Sequence, residues 1–282
     1  MIERIDAMAA DIDMTLTNKG GDLPDVLKDV FQIMHRSHIL LGLATGREIT
    51  EKICRQGSRW GLPFEFDFII GMNGGMIYDT ATGRMWSTQL LSCEELRYIL
   101  TVMKPLIDGY GISVNAEGGG NHNAMNINDH LRASAKRSGI AFVDKTGDID
   151  GFCEKPAYKL LLRTDGGHEQ EMRDVFMKNC SDKYQIFTSF PGTLEVMRKG
   201  IDKGSGMKRY AEEFGIDLKN VIAFGDSEND NSLLKICGWG VCLANGSEST
   251  KSCADDVTEF GCENAGAGHY LIEHYLKPHG MI

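Results

Sequence analysis

The sequence has little proline, no long apolar run and no leader-like start. Its 282 residues include only 6 prolines, while 42% are hydrophobic and 25% are charged, which is typical of an ordinary soluble globular protein. The apolar runs at 39–44 and 160–162 are far shorter than a membrane span. Residues 1–6 lack the basic and apolar regions of a secretion signal, so we expect a cytoplasmic protein.

An excess of positive charge is also missing. The formal net charge is −10, so the chain has no basic field that would attract a polyanion. This argues against nucleic acid and an anionic membrane as general partners, and an anionic substrate must be bound by local groups. The 8 cysteines include no Cys-x-x-Cys pair, and we interpret them as reduced thiols.

Two stretches of the chain alternate short apolar runs with amphipathic segments, which is typical of strands and helices around a parallel sheet. The first stretch has such segments at 5–12, 24–35, 39–44, 48–60 and 66–70. The second has them at 194–197, 203–214, 221–224, 229–236, 240–243 and 269–276. We therefore predict an α/β fold in which residues 1–84 and 193–282 form one Rossmann-like core, with an α+β domain inserted at 85–192.

Polar clusters follow three of the predicted core strands. They are Asp11-Ile-Asp13-Met-Thr15, Thr45-Gly46-Arg47, and Gly225-Asp226 with Asn229-Asp230. In an open α/β sheet, ligands bind where the carboxyl ends of the strands meet. The three clusters are therefore expected to converge on one site.

The residue types in these clusters indicate a cation and a phosphate group. Asp11 and Asp13 alternate along a strand and point the same way, and Asp226 and Asp230 share a helical face. Four carboxylates in one pocket need a compensating cation, and hard oxygen ligands suit Mg²⁺. Lys203, at the start of a predicted helix, supplies a further positive charge.

The segment after the second strand is expected to hold the phosphate. Thr45 and the amides of Gly46 and Arg47 lie where we predict a strand to give way to a helix N-terminus, which is a natural place for an anion. Taken alone, Arg47 is equally well explained as a surface cation.

In their order and spacing, these motifs resemble the haloacid dehalogenase superfamily, and within it the Cof-type phosphatases that carry a large inserted cap. The resemblance covers nearly the whole chain. It includes the Asn73-Gly74 segment that precedes the cap in that group. The matching residues are Asp11, Asp13, Thr15, Thr45, Lys203, Gly225, Asp226, Asn229 and Asp230.

The resemblance implies a role for each group. Asp11 is the nucleophile that forms an aspartyl-phosphate, and Asp13 protonates the leaving oxygen and then activates water. Lys203 balances charge, and Asn229 contacts the phosphate. The resemblance also implies that Mg²⁺ binds Asp11, the backbone carbonyl of Asp13 and Asp226, while Asp230 orients the metal's waters or Lys203.

One position departs from the family pattern, because Met14 stands where the family usually has glycine. A longer side chain there would narrow the mouth of the pocket and change the range of substrates. The four carboxylates are unaffected by this difference.

We therefore expect a Mg²⁺-dependent phosphatase that acts on a small phosphorylated metabolite. A phosphomutase with the same intermediate, or a protein that binds a phosphometabolite without turnover, stays an alternative. Dehalogenation fits less well, since it needs neither the second Asp nor the metal residues. Phosphonate hydrolysis requires a Schiff-base lysine in the cap, which we cannot identify. The sequence leaves open the identity of the ester and the oligomeric state.

Overall fold

The computed structural model describes residues 2–18, 21–165 and 167–282. It divides into two compact units, one formed by Met1–Thr88 with Asp202–Ile282 and the other by Gln89–Ile201. The sequence placed these boundaries at 84/85 and 192/193. All eight cysteines are free thiols, as predicted.

The first unit contains an eight-stranded sheet in the order β14-β13-β12-β1-β2-β3-β4-β5. Neighbouring strands from β14 to β3 are parallel. Strand β4 is antiparallel to β3, and β5 is antiparallel to β4. The strands are β1 Ala7–Ala10, β2 Leu40–Ala44, β3 Phe68–Gly71, β4 Met76–Asp79, β5 Met85–Ser87, β12 Val221–Gly225, β13 Trp239–Cys242 and β14 Asp256–Val257. The predicted α/β class with a parallel core sheet is confirmed.

Central strands of this sheet are buried along their whole length. All four residues of β1 and all five of β12 are buried, as expected for parallel strands that are covered on both faces. The helices are α1 Asp25–Arg36, α2 Glu51–Cys54, α3 Gln56–Arg59, α8 Lys203–Phe214, α9 Asn231–Ile236, α10 Glu248–Lys251 and α11 Gly266–Leu271. In α1 the buried residues Leu27, Val30, Phe31 and Met34 recur at helical spacing, so they form one apolar stripe.

The second unit contains a six-stranded sheet in the order β10-β11-β9-β6-β7-β8. Its strands are β6 Ser113–Glu117, β7 Asn123–Met125, β8 Val143–Asp144, β9 Lys159–Arg163, β10 Tyr184–Phe190 and β11 Thr193–Arg198. Its helices are α4 Cys93–Tyr110, α5 Asp129–Ser138, α6 Ile149–Phe152 and α7 Glu169–Cys180. Helix α4 begins at a capping box formed by Ser92 and Glu95, and it ends at Gly111, whose φ of 61° is left-handed.

Three local predictions were wrong. The helix predicted over 48–60 is instead two short helices, α2 and α3, separated at Arg55. Residues 194–197 were assigned to the core sheet, but β11 pairs antiparallel with β9 and β10 in the second sheet. The hairpin of β4 and β5 was missed, and it places Met85–Ser87 in the first unit rather than the second.

None of the helices in the described residues is both long and apolar enough to cross a membrane.

Candidate active site

Three adjacent parallel strands bring the predicted site together. Asp11 follows β1, which lies between β12 and β2, while Asp226 follows β12 and Thr45 follows β2. The Asp11 backbone N–H donates to the Phe224 carbonyl at 3.1 Å, which continues the pairing of β1 with β12 past the strand end. One oxygen from each carboxylate of Asp11, Asp226 and Asp230 lies within 4.8 Å of the others.

Lys203 is the cation of this cluster. Its side chain is fully buried, and Nζ donates to Asp11 Oδ1 at 2.7 Å and to Asp230 Oδ1 at 2.6 Å. It is the first residue of α8, which begins at a capping box between Asp202 and Ser205. The helix start therefore fixes the backbone from which Lys203 reaches two carboxylates.

A tight turn packs against this helix start. A Cβ atom at Gly74 would lie 2.0 Å from the Asp202 carbonyl oxygen, so only glycine allows this close approach. The preceding residue, Asn73, is fully buried and left-handed with φ 47°. Its N–H donates to the Thr45 carbonyl at 3.0 Å, and its Oδ1 accepts from Asn229 Nδ2 at 3.1 Å. The turn thus links the elements that carry Thr45, Asn229 and Lys203.

Asp230 uses both carboxylate oxygens within the protein. Its Oδ2 accepts from the backbone N–H groups of Asp226 and Ser227, each at 3.0 Å, and its Oδ1 accepts from Lys203. Asp226 accepts at Oδ1 from the Thr15 hydroxyl at 2.7 Å. Asp230 therefore orients Lys203 and the backbone at Asp226 and Ser227, whereas the carboxylate of Asp226 is itself part of the cluster.

The electrostatics of the cluster fit a divalent cation. Burial raises the pKa of the Asp11 carboxyl to about 7, against the opposing charge of Lys203. Burial, followed by the charges of Asp230 and Asp11, raises the pKa of Asp226 to about 8. Although burial opposes its charged form, Asp11 and Asp230 raise the pKa of Lys203 above its ordinary value. When all three carboxylates are ionised, one ammonium leaves excess negative charge, which a hard cation with oxygen ligands would neutralise.

Asp13 contacts Arg47 instead of joining the three-carboxylate cluster. The guanidinium donates through Nε to Asp13 Oδ2 at 2.9 Å and through Nη2 to Asp13 Oδ1 at 2.6 Å. Both side chains are about one-third exposed. The two-point contact fixes the plane of the carboxylate, because a guanidinium fork matches two oxygens at once. The sequence placed Arg47 at the substrate, and its pairing with Asp13 was missed.

The segment after β2 differs from the prediction in its backbone. No helix begins at Thr45-Gly46-Arg47, since α2 starts only at Glu51. The Arg47 N–H donates to the Thr45 hydroxyl at 3.2 Å, and the Arg47 carbonyl accepts from Met72 at 2.9 Å. The helix N-terminus expected at this position is therefore wrong, and Thr45 lies at the end of a strand next to β1.

Met14 has a backbone conformation that favours glycine. Its φ is 67°, in the left-handed region, where a side chain is strained. The N–H donates to the Thr17 carbonyl at 2.7 Å, and the carbonyl accepts from Asn245 Nδ2 at 2.8 Å. These two hydrogen bonds hold the turn that follows Asp13.

Replacing Met14 by glycine is expected to stabilise the protein by roughly 0.5–1 kcal/mol, because relief of left-handed strain exceeds the entropy that glycine adds to the unfolded chain. Urea unfolding measures the difference. Met14→Ala is the matched control, since it shortens the side chain but keeps the Cβ atom and its strain. Equal effects of the two substitutions would show that the backbone of Met14 is unstrained.

Comparisons with known proteins find a family model and relatives that match most of this chain. A family model described as haloacid dehalogenase-like hydrolase matches residues 8–271. An inferred phosphatase of Streptococcus pyogenes is 26% identical over 282 residues, covering 97% of this chain and 99% of the relative. The HMP-PP phosphatase of Cronobacter sakazakii is 23% identical over 279 residues, covering 96% of each.

The fold is shared with solved structures. A HAD subclass IIB sugar phosphatase superposes with a TM-score of 0.77 at 21% identity, covering 98% of this chain and 99% of that one. A protein of Streptococcus mutans superposes with a TM-score of 0.79 at 16% identity, covering 97% of this chain and 99% of that one.

Proposed function

Because this chain belongs to the haloacid dehalogenase-like hydrolase family, we propose that it is a Mg²⁺-dependent phosphatase that hydrolyses small phosphate monoesters through an aspartyl-phosphate on Asp11. The observation that carries the proposal is the fully buried Lys203, which joins Asp11 and Asp230 beside Asp226. The resemblance noted in the sequence and the assignment to the hydrolases are both confirmed.

In the first half-reaction, a carboxylate oxygen of Asp11 attacks phosphorus and the bond to the ester oxygen breaks. An aspartate carboxylate is ionised at neutral pH when a cation balances its charge, so it needs no base. Asp13 must be protonated to act as the acid, so we propose that its two-point contact with Arg47 opens, that the carboxylate takes a proton from solvent, and that it gives this proton to the departing oxygen. Lys203 opposes the charge on the phosphoryl oxygens.

In the second half-reaction, Asp13 accepts a proton from water as the water attacks phosphorus. The bond between phosphorus and Asp11 breaks, which releases inorganic phosphate and restores the carboxylate. Thr45 and Asn229, both hydrogen-bonded to Asn73, are the proposed phosphate contacts. Gly46 and Arg47 belong to the same loop, and we assign Arg47 to Asp13 rather than to the phosphate.

Asp11, Asp226 and the backbone carbonyl of Asp13 are the proposed Mg²⁺ ligands, and Asp230 holds Lys203 and the Asp226 backbone beside them. When bound, Mg²⁺ supplies positive charge that offsets the phosphoryl oxygens.

The substrates that we propose are sugar phosphates or related metabolites. The names of the Cronobacter relative and of the solved sugar phosphatase support small phosphorylated molecules of this kind. We place the enzyme in the cytoplasm.

Hydrolysis of p-nitrophenyl phosphate tests the activity. Turnover is expected with Mg²⁺ and none with EDTA. A dedicated phosphomutase would release little phosphate, and a binding protein would release none, so either result would contradict the proposal.

Asp13→Asn is expected to separate the two half-reactions. Nitrophenolate leaves without much help from an acid, so attack by Asp11 proceeds, whereas hydrolysis of the phosphoenzyme needs a base and stalls. Rapid-quench kinetics should show a burst followed by slow turnover, and mass spectrometry should find the phosphate on Asp11. Asp22→Asn, at an exposed position, is the control. Wild-type turnover without a burst would remove Asp13 from this role.

Metal binding should be coupled to pH. In the metal-free protein, Asp11 and Asp226 have pKa values of about 7 and about 8, raised from 3.8. Because these two carboxyl groups bind their protons more tightly in the folded protein than in the unfolded chain, they stabilise the fold below a pH of about 4. This stabilisation is lost as the pH rises towards about 8. The rise in Tm caused by Mg²⁺ should therefore be larger at the alkaline end of this window. An equal rise across the window would show that these carboxylates do not bind the ion.

A further inference from the structure

An exposed asparagine in the loop after β13 contacts the turn that follows Asp13. The side chain of Asn245 donates through Nδ2 to the Met14 carbonyl at 2.8 Å, and its Oδ1 accepts from the Cys262 N–H at 2.8 Å. The two ends of the amide are not interchangeable here, because a carbonyl only accepts and a backbone N–H only donates. Asn245 therefore bridges the turn after β1 and the segment at Cys262.

The loop that carries Asn245 is itself bonded to the end of β12. The Leu243 N–H donates to the Gly225 carbonyl at 3.0 Å, and the Ser247 N–H donates to the Asp226 carbonyl at 2.8 Å. A hydrogen bond to the end of β12 thus lies on each side of Asn245 in the chain. The amide of Asn245 therefore extends from a backbone that is held beside Asp226.

The turn that Asn245 contacts has an unfavourable backbone conformation. Met14 has φ 67°, and a left-handed conformation is costly for a residue with a side chain. Such a conformation persists only where the surrounding contacts hold it. Two hydrogen bonds do so here, one from the Met14 N–H to the Thr17 carbonyl and one from Asn245 to the Met14 carbonyl. Loss of the second bond would allow the peptide between Met14 and Thr15 to rotate.

Rotation of this peptide would disturb residues of the site on both sides of Met14. Thr15 follows Met14, and its hydroxyl donates to Asp226 Oδ1 at 2.7 Å. Asp13 precedes Met14, and its carboxylate is held by Arg47. In the proposed reaction this contact with Arg47 opens, and the direction of the Asp13 side chain then depends on its own backbone.

We propose that Asn245 is a positioning residue for the acid–base steps, and that it acts on Asp13 through the Met14 turn. The inference rests on the proposed function, because it assigns a role in that reaction. The alternative is a purely structural role, in which the amide only fastens the segment at Cys262. The two roles predict different kinetics, because Asp13 matters only in the steps that transfer a proton.

The experiment compares Asn245→Ala with the wild type on p-nitrophenyl phosphate and on benzyl phosphate. The benzyl alkoxide is a poor leaving group that needs a proton, whereas nitrophenolate leaves without much help. We therefore expect kcat/KM to fall by roughly ten- to thirtyfold for benzyl phosphate and by less than about twofold for p-nitrophenyl phosphate. Partial unfolding would lower both values equally and cancels in their ratio. Asn264→Ala, at an exposed position near Cys262, is the matched control and should keep the wild-type ratio.

Pre-steady-state kinetics give a second measurement on p-nitrophenyl phosphate alone. Hydrolysis of the phosphoenzyme also needs Asp13 as a base, so Asn245→Ala should show a burst of nitrophenolate followed by slower turnover. Asn245→Asp separates the two hydrogen bonds of the amide. At neutral pH it keeps an oxygen for the Cys262 N–H but has no donor for the Met14 carbonyl. It should change the ratio at least as much as Asn245→Ala.

A double variant tests whether Asn245 acts through Asp13. Asp13→Asn already removes the acid and the base, so adding Asn245→Ala should not lower kcat/KM for benzyl phosphate further. Effects of the two substitutions that multiply would overturn the inference, as would a wild-type ratio without a burst in Asn245→Ala or a wild-type ratio in Asn245→Asp. Each of these results leaves the proposed function intact. If the wild type hydrolyses neither ester, the proposed function fails and the inference fails with it.

Discussion

Asp11→Asn is expected to reduce hydrolysis of p-nitrophenyl phosphate by about four orders of magnitude, since an amide is a poor nucleophile and a weaker ligand for a cation. No phosphoenzyme should form, in contrast to Asp13→Asn. The fold should persist, because Lys203 keeps Asp230 as its partner and burial disfavours the charge that the substitution removes.

Steady-state rates with Mg²⁺, together with Tm measured with EDTA, test this expectation. The Tm of the metal-free variant should equal or exceed that of the wild type. Asp22→Asn, which changes an exposed carboxylate, should leave both quantities unaltered. Turnover close to wild type would exclude Asp11 as the nucleophile.

Lys203→Ala is expected to damage both activity and stability. It leaves Asp11 and Asp230 buried without their counter-ion, and breaking a buried ion pair costs roughly 3–5 kcal/mol. Turnover should fall by about 10²- to 10³-fold in whatever protein remains folded, because a preorganised charge facing the phosphoryl oxygens is lost.

Two further variants separate charge from packing. Lys203→Met keeps most of the side-chain volume and should remain as inactive as Lys203→Ala. Lys208→Ala removes a lysine from the same helix, and that lysine is 59% exposed and contacts Glu212 at 3.9 Å. It should change the free energy of unfolding by less than about 1 kcal/mol. If Lys203→Met retained turnover, the charge of Lys203 would have no part in the reaction.

Much of the core and of its site could be predicted from the sequence. Continuous apolar runs that end in Asp, Thr or Gly-Asp indicate buried parallel strands, and carboxyl ends of neighbouring strands meet. The structure brings Asp11, Asp226 and Asp230 together with Lys203 in this way.

What the sequence concealed depends on long-range pairing. The sequence of β11 is typical of a strand in the core sheet. Only its pairing with β9 and β10 shows that it belongs to the second sheet. The contact of Asp13 with Arg47 joins residues 34 apart, and it could have been inferred once β1 and β2 were taken as neighbours. The turn at Asn73 had a local signal, since asparagine followed by glycine favours left-handed backbone.

The strand order of the first sheet also determines when this protein can fold during synthesis. Strand β1 lies between β2 and β12, and β12 begins only at Val221. Until that strand leaves the ribosome, one edge of β1 exposes unpaired N–H and C=O groups, and such an edge can pair with another chain. Strands β1 and β12 are far apart in the sequence, so the chain between them must lose conformational entropy before the two strands can pair. This slows closure of the sheet. A nascent chain that lacks β12 therefore has neither a closed core sheet nor an assembled cluster of Asp11 and Asp226, and its unpaired strand edge favours aggregation.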